Sequence, residues 1–379
     1  MFDVAVVGAS IAGSVLSKQL AARGYSVALI DKASFPRSKP CGEGLSKLGL
    51  ETLRELAGGS LDEIPVRPFR GYAIHPMEGA PFVIPTEFAG VGIERSMLDA
   101  ALLSSALQEP TVTAILGQKV TMVEPLSGAV HLEGQSITAR YVVDAAGQGG
   151  WLYAHSSNPA IHPLRYGLTF HLQGTRPIET PYANVFLHPA GEFFCTPLAS
   201  NRLNVSFLGH RDRHRSKLIR SLQDSAIPKL LESLNWSATV EADYLSTPIH
   251  KARQNAVVSE RCIRVGDACE QFDPIGGMGM THAILSAQLA ARALASSLEH
   301  PGSIPMRLQE YSRNRERAAR PLRGFTTLTY HSLKSWQGLP MLRTLTRSRF
   351  GQGMGACLHG SSAGSSLGRV ALAFLGAYV

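Results

Sequence analysis

Residues 2–32, FDVAVVGASIAGSVLSKQLAARGYSVALIDK, constrain the fold more than any other stretch of this chain. Val4–Val7 read as a buried strand. A turn of small residues follows, then a helical stretch broken at Arg23-Gly24, then a second apolar strand, Val27–Ile30, closed by Asp31. This is a βαβ unit. Its turn, Gly8-Ala9-Ser10-Ile11-Ala12-Gly13, follows G-x-G-x-x-G with serine at the second glycine. Small residues are needed there because the backbone must come close to a pyrophosphate, and the helix must aim its unpaired N–H groups and positive dipole end at it. Ser10 is small enough for that approach. Asp31, 23 residues after Gly8, is placed to accept hydrogen bonds from a ribose 2′-hydroxyl, which disfavours a 2′-phosphate. NAD and FAD satisfy this pattern equally.

The remainder of the 379 residues suffices for one large domain or two intimately connected ones. With 44% hydrophobic and 17% charged residues and 36 glycines, the composition is that of a globular protein rich in tight turns, not a disordered one. A net charge of +8 points to an anionic partner: a phosphate-bearing cofactor, an acidic carrier, a membrane surface or nucleic acid. The basic runs HRDRHRSK (210–217) and RNRERAARPLR (313–323) lack interleaved aromatics, which argues against nucleic acid. The second run reads as the solvated face of a long helix, with a docking face for a carrier or peptide as the other reading. Five cysteines (41, 195, 262, 269, 357), odd in number and without CxxC spacing, indicate neither a disulfide framework nor a metal site, and suit a reducing cytoplasm. No secretory leader pattern and no apolar run of about 20 residues is present. The tail RVALAFLGAYV (369–379) reads as a packed terminal helix, peripheral membrane contact being the other reading.

Further segments extend the pattern. ASFPRSKPCGEGLSKLGLETL (33–53) places Arg37 where it can reach the same pyrophosphate, and Gly42 and Gly44 where backbone can pass close to a flat ligand. IERSMLDAALLSSAL (93–107) is an amphipathic helix with Arg95 in its first turn, a position the dipole disfavours for a cation unless something anionic compensates; a cofactor phosphate or sugar edge would do so. VTMVEP, GAVHLEG and SITARYVVDAAG (120–147) form a β-meander that returns the chain to the main sheet at Val142–Val143. Alternating runs between 165 and 209 read as antiparallel strands of a second, substrate-facing sheet. CIRVGDACEQFDPIGGMGMTHAILSAQLAARALASSL (262–298) reads as a strand, a Gly-Asp turn, a glycine-rich loop and a long helix whose N-terminus points at something anionic.

Three of these segments, GASIAG with Asp31, FPRSKPCGEG, and VGDACEQFDPIGGMGMTHAILSAQLAA, together resemble the FAD-binding elements of the group that contains p-hydroxybenzoate-hydroxylase-type aromatic hydroxylases, flavin-dependent halogenases and geranylgeranyl reductases. The resemblance spans roughly residues 2–320 and selects FAD over NAD. It implies an α/β fold: a Rossmann-like FAD-binding domain of glutathione-reductase type (1–70, 93–160 and 255–320), an inserted antiparallel-sheet substrate domain (71–92 and 161–254) and a helical C-terminal region (321–379). It further implies a cofactor site made of Gly8, Ser10, Ile11, Ala12, Gly13, Asp31, Lys32, Arg37, Cys41, Gly42, Arg95, Val120 and Gly147. Asp267 would hold the ribityl or pyrophosphate portion, and Pro274, Gly277, Met278, Gly279 and Met280 would line the isoalloxazine.

Two departures from the group narrow the function. Hydroxylases carry an Asp-Gly pair where this chain has Ala146-Gly147, so direct use of NAD(P)H is disfavoured and reduced flavin from a separate reductase is expected. The W-x-W-x-I-P segment of the halogenases is missing; Trp151, Trp236 and Trp336 stand alone. The reading is an FAD-dependent monooxygenase that consumes O2 through a flavin C4a-hydroperoxide and acts on an aromatic, polyketide-like or carrier/peptide-bound substrate. A double-bond reductase, suggested by KPCGEGLS, and a flavoprotein that modifies a partner protein are the alternatives. The second sheet, with His171, Phe186, His188, Phe194, Asn204 and Phe207, would roof the pocket, and Cys41, Glu43, His171, His188 and His282 are the candidate catalytic residues.

Overall fold

The computed structural model describes residues 1–149, 165–210, 219, 222–241, 244–249, 257–300, 304–334 and 340. The expectations placed on Trp151, Trp336, the run after His210 and the apolar tail lie outside those residues. The chain opens as read: β1 (Phe2–Val7), α1 (Ile11–Ala21) and β2 (Val27–Asp31). Next come β3 (Gly44–Ser46), α2 (Lys47–Ala57), β4 (Arg67–His75), β5 (Phe82–Gly92), α3 (Arg95–Leu107) and β6 (Val112–Leu116). The meander is β7 (Val120–Glu124), β8 (Ala129–Leu132) and β9 (Gln135–Asp144). The second half holds β10 (Arg165–Gly174), β11 (Ala183–His188), β12 (Gly191–Pro197), β13 (Arg202–His210), α4 (Ile227–Ser233), β14 (Ala238–Val240) and β15 (Leu245–Ile249). It ends with β16 (Val258–Ser259), β17 (Cys262–Arg264), α5 (Gly279–Glu299) and α6 (Ile304–Lys334).

The first sheet runs β16-β17-β9-β1-β2-β6, and its central pairings, β1 with β2 and β9, β2 with β6 and β9 with β17, are parallel. Alternation along β1 sends Val4 and Val6 to a core shared with Leu16 and Leu20 of α1, Leu98 of α3, and Ala287, Ala290 and Ala291 of α5. The small side chains of α5 allow α1 to pack closely on it. Ala5 and Val7 face the other way, against Val130, Val142 and Cys262 beneath the meander. The result is the Rossmann-like α/β architecture expected of an FAD-binding domain.

The second sheet runs β14-β10-β13-β12-β11-β4-β5-β3, with β15 also on β10. It is antiparallel except where β11 meets β4. One face packs on α4 through Phe170, Leu172 and Phe207, with Trp236 of the following turn in the same cluster; the other meets Ile275 and Leu333 through Ile74, Val185 and Leu208. α6 runs unbroken through the expected boundary at 320/321. No helix among the described residues is long and apolar enough to cross a membrane.

A run read as a solvated or docking face turns partly inward. On α6, Arg315 is 3% exposed and donates to Glu270 at 2.5 Å, and Arg323 donates to the same carboxylate at 2.6 and 3.0 Å. Glu270 is itself buried, so these charges fasten α6 to the segment that leads into the glycine-rich loop. The alternation of Arg and Glu in the sequence looked solvated because its partner lies 45 residues away.

Candidate cofactor and substrate site

The phosphate turn is closed by sterics. Gly8 has φ +109°, and a Cβ there would sit 2.5 Å from the Ala145 carbonyl oxygen; at Gly13 a Cβ would lie 1.7 Å from the Gly8 carbonyl oxygen. Asp31 Oδ2 accepts the Ala9 N–H at 2.9 Å and Oδ1 accepts the Ala33 N–H, which fixes the end of β2 against the turn. Arg37 Nη2 lies 3.5 Å from the same carboxylate. Lys32 is exposed beside it, and Val120 starts β7 close to where the Gln118 N–H bonds the Asp31 carbonyl.

Arg95 is buried at the start of α3, and its compensating anion is one that the sequence reading did not name. Asp99, one turn on, accepts from Arg95 Nε at 3.0 Å and from Nη2 at 2.9 Å, while the Ser10 hydroxyl donates to Asp99 at 2.7 Å. Burial pushes the Asp99 carboxyl up, but the Arg95 charge and hydrogen bonds outweigh it and the group titrates below its ordinary range. The i,i+4 spacing of Arg95 and Asp99 was the available signal.

A cavity of about 410 Å³ begins at this turn and runs onto the second sheet. Its cofactor end is lined by Ser10, Ile11 and Ala12, by Cys41, Gly42 and Glu43, and by Arg95, Gly147 and Asp267. Pro274, Gly277, Gly279 and Met280 close it, whereas Met278 packs behind them with Phe272 and Ala319. Lys39, absent from the sequence expectations, also lines this end; its Nζ lies 3.9 Å from the place a Cβ on Gly147 would occupy. Burial and the nearby Arg95 push the Lys39 ammonium down, and burial pushes the Asp267 carboxyl up against the pull of Lys39 and Arg95. Asp144, two residues before Ala146, turns its carboxylate onto the loop's own backbone and accepts the Ala146 N–H at 3.1 Å.

These residues fit FAD. The buried Arg37 Nε has no partner among the described residues, α1 has no side-chain N-cap because Ser10 is engaged by Asp99 and Arg95, and the Met278 N-cap leaves the first turn of α5 equally uncapped. Both helix ends therefore present free N–H donors and positive dipole ends, suited to a pyrophosphate and to negative charge on a reduced flavin. The α5 loop is held from the other side: Arg165 of β10 pairs with Glu192 at 2.8 Å and with Asp273, whose carboxylate accepts the Ile275 N–H.

Glu43 ties the start of α3 to the second sheet. It is 4% exposed and adopts φ +55°, a strained conformation for a non-glycine residue. Its Oε1 accepts the Arg95 N–H at 2.8 Å, and its Oε2 contacts His171 Nε2 at 2.7 Å and accepts from Asn204 Nδ2 at 3.1 Å. With both oxygens occupied, Glu43 holds the CGEG segment on the sheet. Glu43→Ala should cost about 2–3 kcal/mol in chemical denaturation, because it strands buried donors as well as relaxing the turn; a loss within the error of the measurement would remove this role.

Of the other candidates, Cys41 lines the cavity, whereas His171, His188 and His282 do not. His188 accepts the Ala190 N–H and packs on Phe193. The expected roof needs correcting too. Phe194 lines the cavity, but Phe207 and Phe186 pack with the cluster around Phe193 on the α4 side, since strand alternation that turns Ser206, Leu208 and Val185 inward turns these two outward.

The cradle and the sheet above it define an FAD-dependent oxidoreductase. The family model described as tryptophan halogenase matches residues 86–337 and that of the FAD-binding domain matches residues 1–68, so the chain belongs to the tryptophan halogenase family. It is 25% identical over 331 residues to digeranylgeranylglycerophospholipid reductase 2 of Methanopyrus kandleri, covering 82% of this chain and 81% of that one. It is 26% identical over 345 residues to the ubiquinone hydroxylase UbiL of Rhodospirillum rubrum, covering 82% and 76%. The flavin-dependent brominase Bmp2 superposes with a TM-score of 0.81 at 17% identity, covering 100% of this chain and 98% of that one.

Proposed function

We propose that the chain is a monooxygenase that inserts one atom of dioxygen into an aromatic or similarly electron-rich substrate, with reduced flavin supplied by a separate reductase. The observation that carries this reading is the continuity of the cavity: Pro274, Gly277, Gly279 and Met280 of the α5 loop and the sheet residues Phe194 and Thr169 line one space, so substrate and cofactor would meet face to face. FAD, when bound and reduced, activates dioxygen for transfer to a nucleophilic carbon. The chain's part is positioning and exclusion of water. The Arg165–Asp273 contact and the α6 anchor at Glu270 hold the α5 loop, Glu43 holds the CGEG segment, and the uncapped end of α5 favours negative charge at the flavin edge. The similarity to UbiL, a hydroxylase, supports the reading. The reductase-like alternative is favoured by Cys41, which lines the same cavity and whose side chain interacts with Arg95.

The expected result in anaerobic mixing is that neither NADH nor NADPH bleaches the bound flavin unless a flavin reductase is added, because alanine, not a carboxylate, precedes Gly147 and Lys39 lies beside it. Admitting labelled dioxygen should then place one labelled oxygen in the product. Prompt bleaching by nucleotide alone would overturn the two-component part, and a product gaining two hydrogens and no label would overturn oxygenation in favour of alkene reduction.

A further inference from the structure

The register of the second sheet sets one row of side chains across the cavity face, His171, Asn204, Thr196, Ala183 and Tyr72 on β10, β13, β12, β11 and β4, with Thr196 and Ala183 brought together by carrying the Asn184–Cys195 pairing one residue further. The first two are tied to Glu43. The last three line the cavity and face no such partner. Thr196 is 5% exposed and its hydroxyl makes no hydrogen bond among the described residues. The Tyr72 hydroxyl likewise has none; burial alone pushes its pKa up to about 12, so it stays a protonated donor. Between them stands Ala183, whose short side chain leaves a notch. Adjacent strands lie about 4.8 Å apart, so a group seated over Ala183 is within reach of both hydroxyls. Phe69, whose ring packs edge-on to Tyr72, and Phe194 supply flat apolar walls beside the notch.

The geometry points to a specificity site in which Tyr72 and Thr196 together bind the oxygen substituent of a hydroxyaromatic substrate whose ring rests over Ala183. Two cavity-lining hydroxyls without protein partners that hydrogen-bond a substrate oxygen once the ligand has displaced water select against the analogue that lacks it, because that analogue leaves them unpaired. The inference rests on the proposed function for the identity of the pocket's occupant, but its test needs no turnover.

Binding of 2-naphthol and of naphthalene to the FAD-loaded, oxidised protein is followed by quenching of the naphthalene fluorescence, without electron donor. Wild type should prefer 2-naphthol by about tenfold, and Tyr72→Phe and Thr196→Val should each shrink that preference and together abolish it, with naphthalene affinity unchanged. Ala183→Leu should block both ligands by filling the notch. A preference that survives in the double variant, equal losses for both ligands in the hydroxyl variants, or failure of wild type to bind 2-naphthol would overturn the assignment. Failure of the labelled-oxygen experiment with the naphthol preference intact would instead overturn only the oxygenase reading.

Discussion

Asp99→Ala should destabilise the protein by about 4 kcal/mol and abolish FAD retention, because it leaves the Arg95 guanidinium buried without its anion. Arg95 is 5% exposed and Asp99 is fully buried, so water cannot take over the lost charge. The Ser10 hydroxyl, which donates to Asp99 and accepts from Arg95 Nη2, loses its anchor in the same step, and Ser10 stands at the second-glycine position of the phosphate turn. The double variant Arg95→Met/Asp99→Leu separates the two effects. Replacing a buried pair with apolar side chains of similar volume is close to neutral in stability. That variant should therefore refold with near wild-type resistance to urea yet retain little flavin, since one of the two cations at the cofactor end of the cavity, Arg95 beside Lys39, is gone. An Asp99→Ala protein within about 1 kcal/mol of wild type would mean that Arg95 finds another partner, and the assigned role of the pair would fall.

The parts of the site that were legible in the sequence are those fixed by local rules. A turn that must approach a phosphate needs glycine where a Cβ would strike a carbonyl, and Gly8 and Gly13 show that signal directly. The α5 segment was legible because small residues at its packed positions follow a glycine-rich loop. What stayed hidden depends on which face of an element meets which neighbour. In β10, Phe170 and Leu172 are buried on one side while Thr169 is buried on the other, so the second sheet is covered on both faces and alternation does not say which face holds the cavity. Phe186 and Phe207, expected to face the cavity, lie on the α4 side. The inward turn of Arg315 and Arg323 was hidden for a different reason: a long-range anion, Glu270, decides it, and no periodicity of α6 encodes that partner. The same holds for Lys39, which sits within the quoted FPRSKPCGEG segment but whose approach to Gly147 is a property of the assembled fold.

Stability should also fall steeply on the acid side, and His282 should account for most of the fall between pH 6.5 and 4. The imidazole is 2% exposed, neither ring nitrogen has a partner among the described residues, and it packs against Phe272 at 4.7 Å between centroids. Burial pushes its pKa down to about 3, helped by the positive charges of Arg315 and Arg323 on α6. Between about pH 6.5 and 3 the unfolded chain therefore carries a proton on this residue that the folded chain does not. Stability is unaffected above that window and is lost as the pH falls through it, by up to about 5 kcal/mol over the full range and about 3 kcal/mol by pH 4. His75, lowered by burial, acts in the same direction, and Asp99 adds its own loss only at lower pH. His282→Phe isolates the contribution, because phenylalanine gives up no hydrogen bond and suits a cluster of Phe272, Met278, Ala319 and Leu322. The variant should match or exceed wild type in urea at pH 7 and show a markedly flatter stability profile between pH 6.5 and 4. Parallel profiles for the two proteins would show that the buried imidazole takes up its proton without cost to the fold.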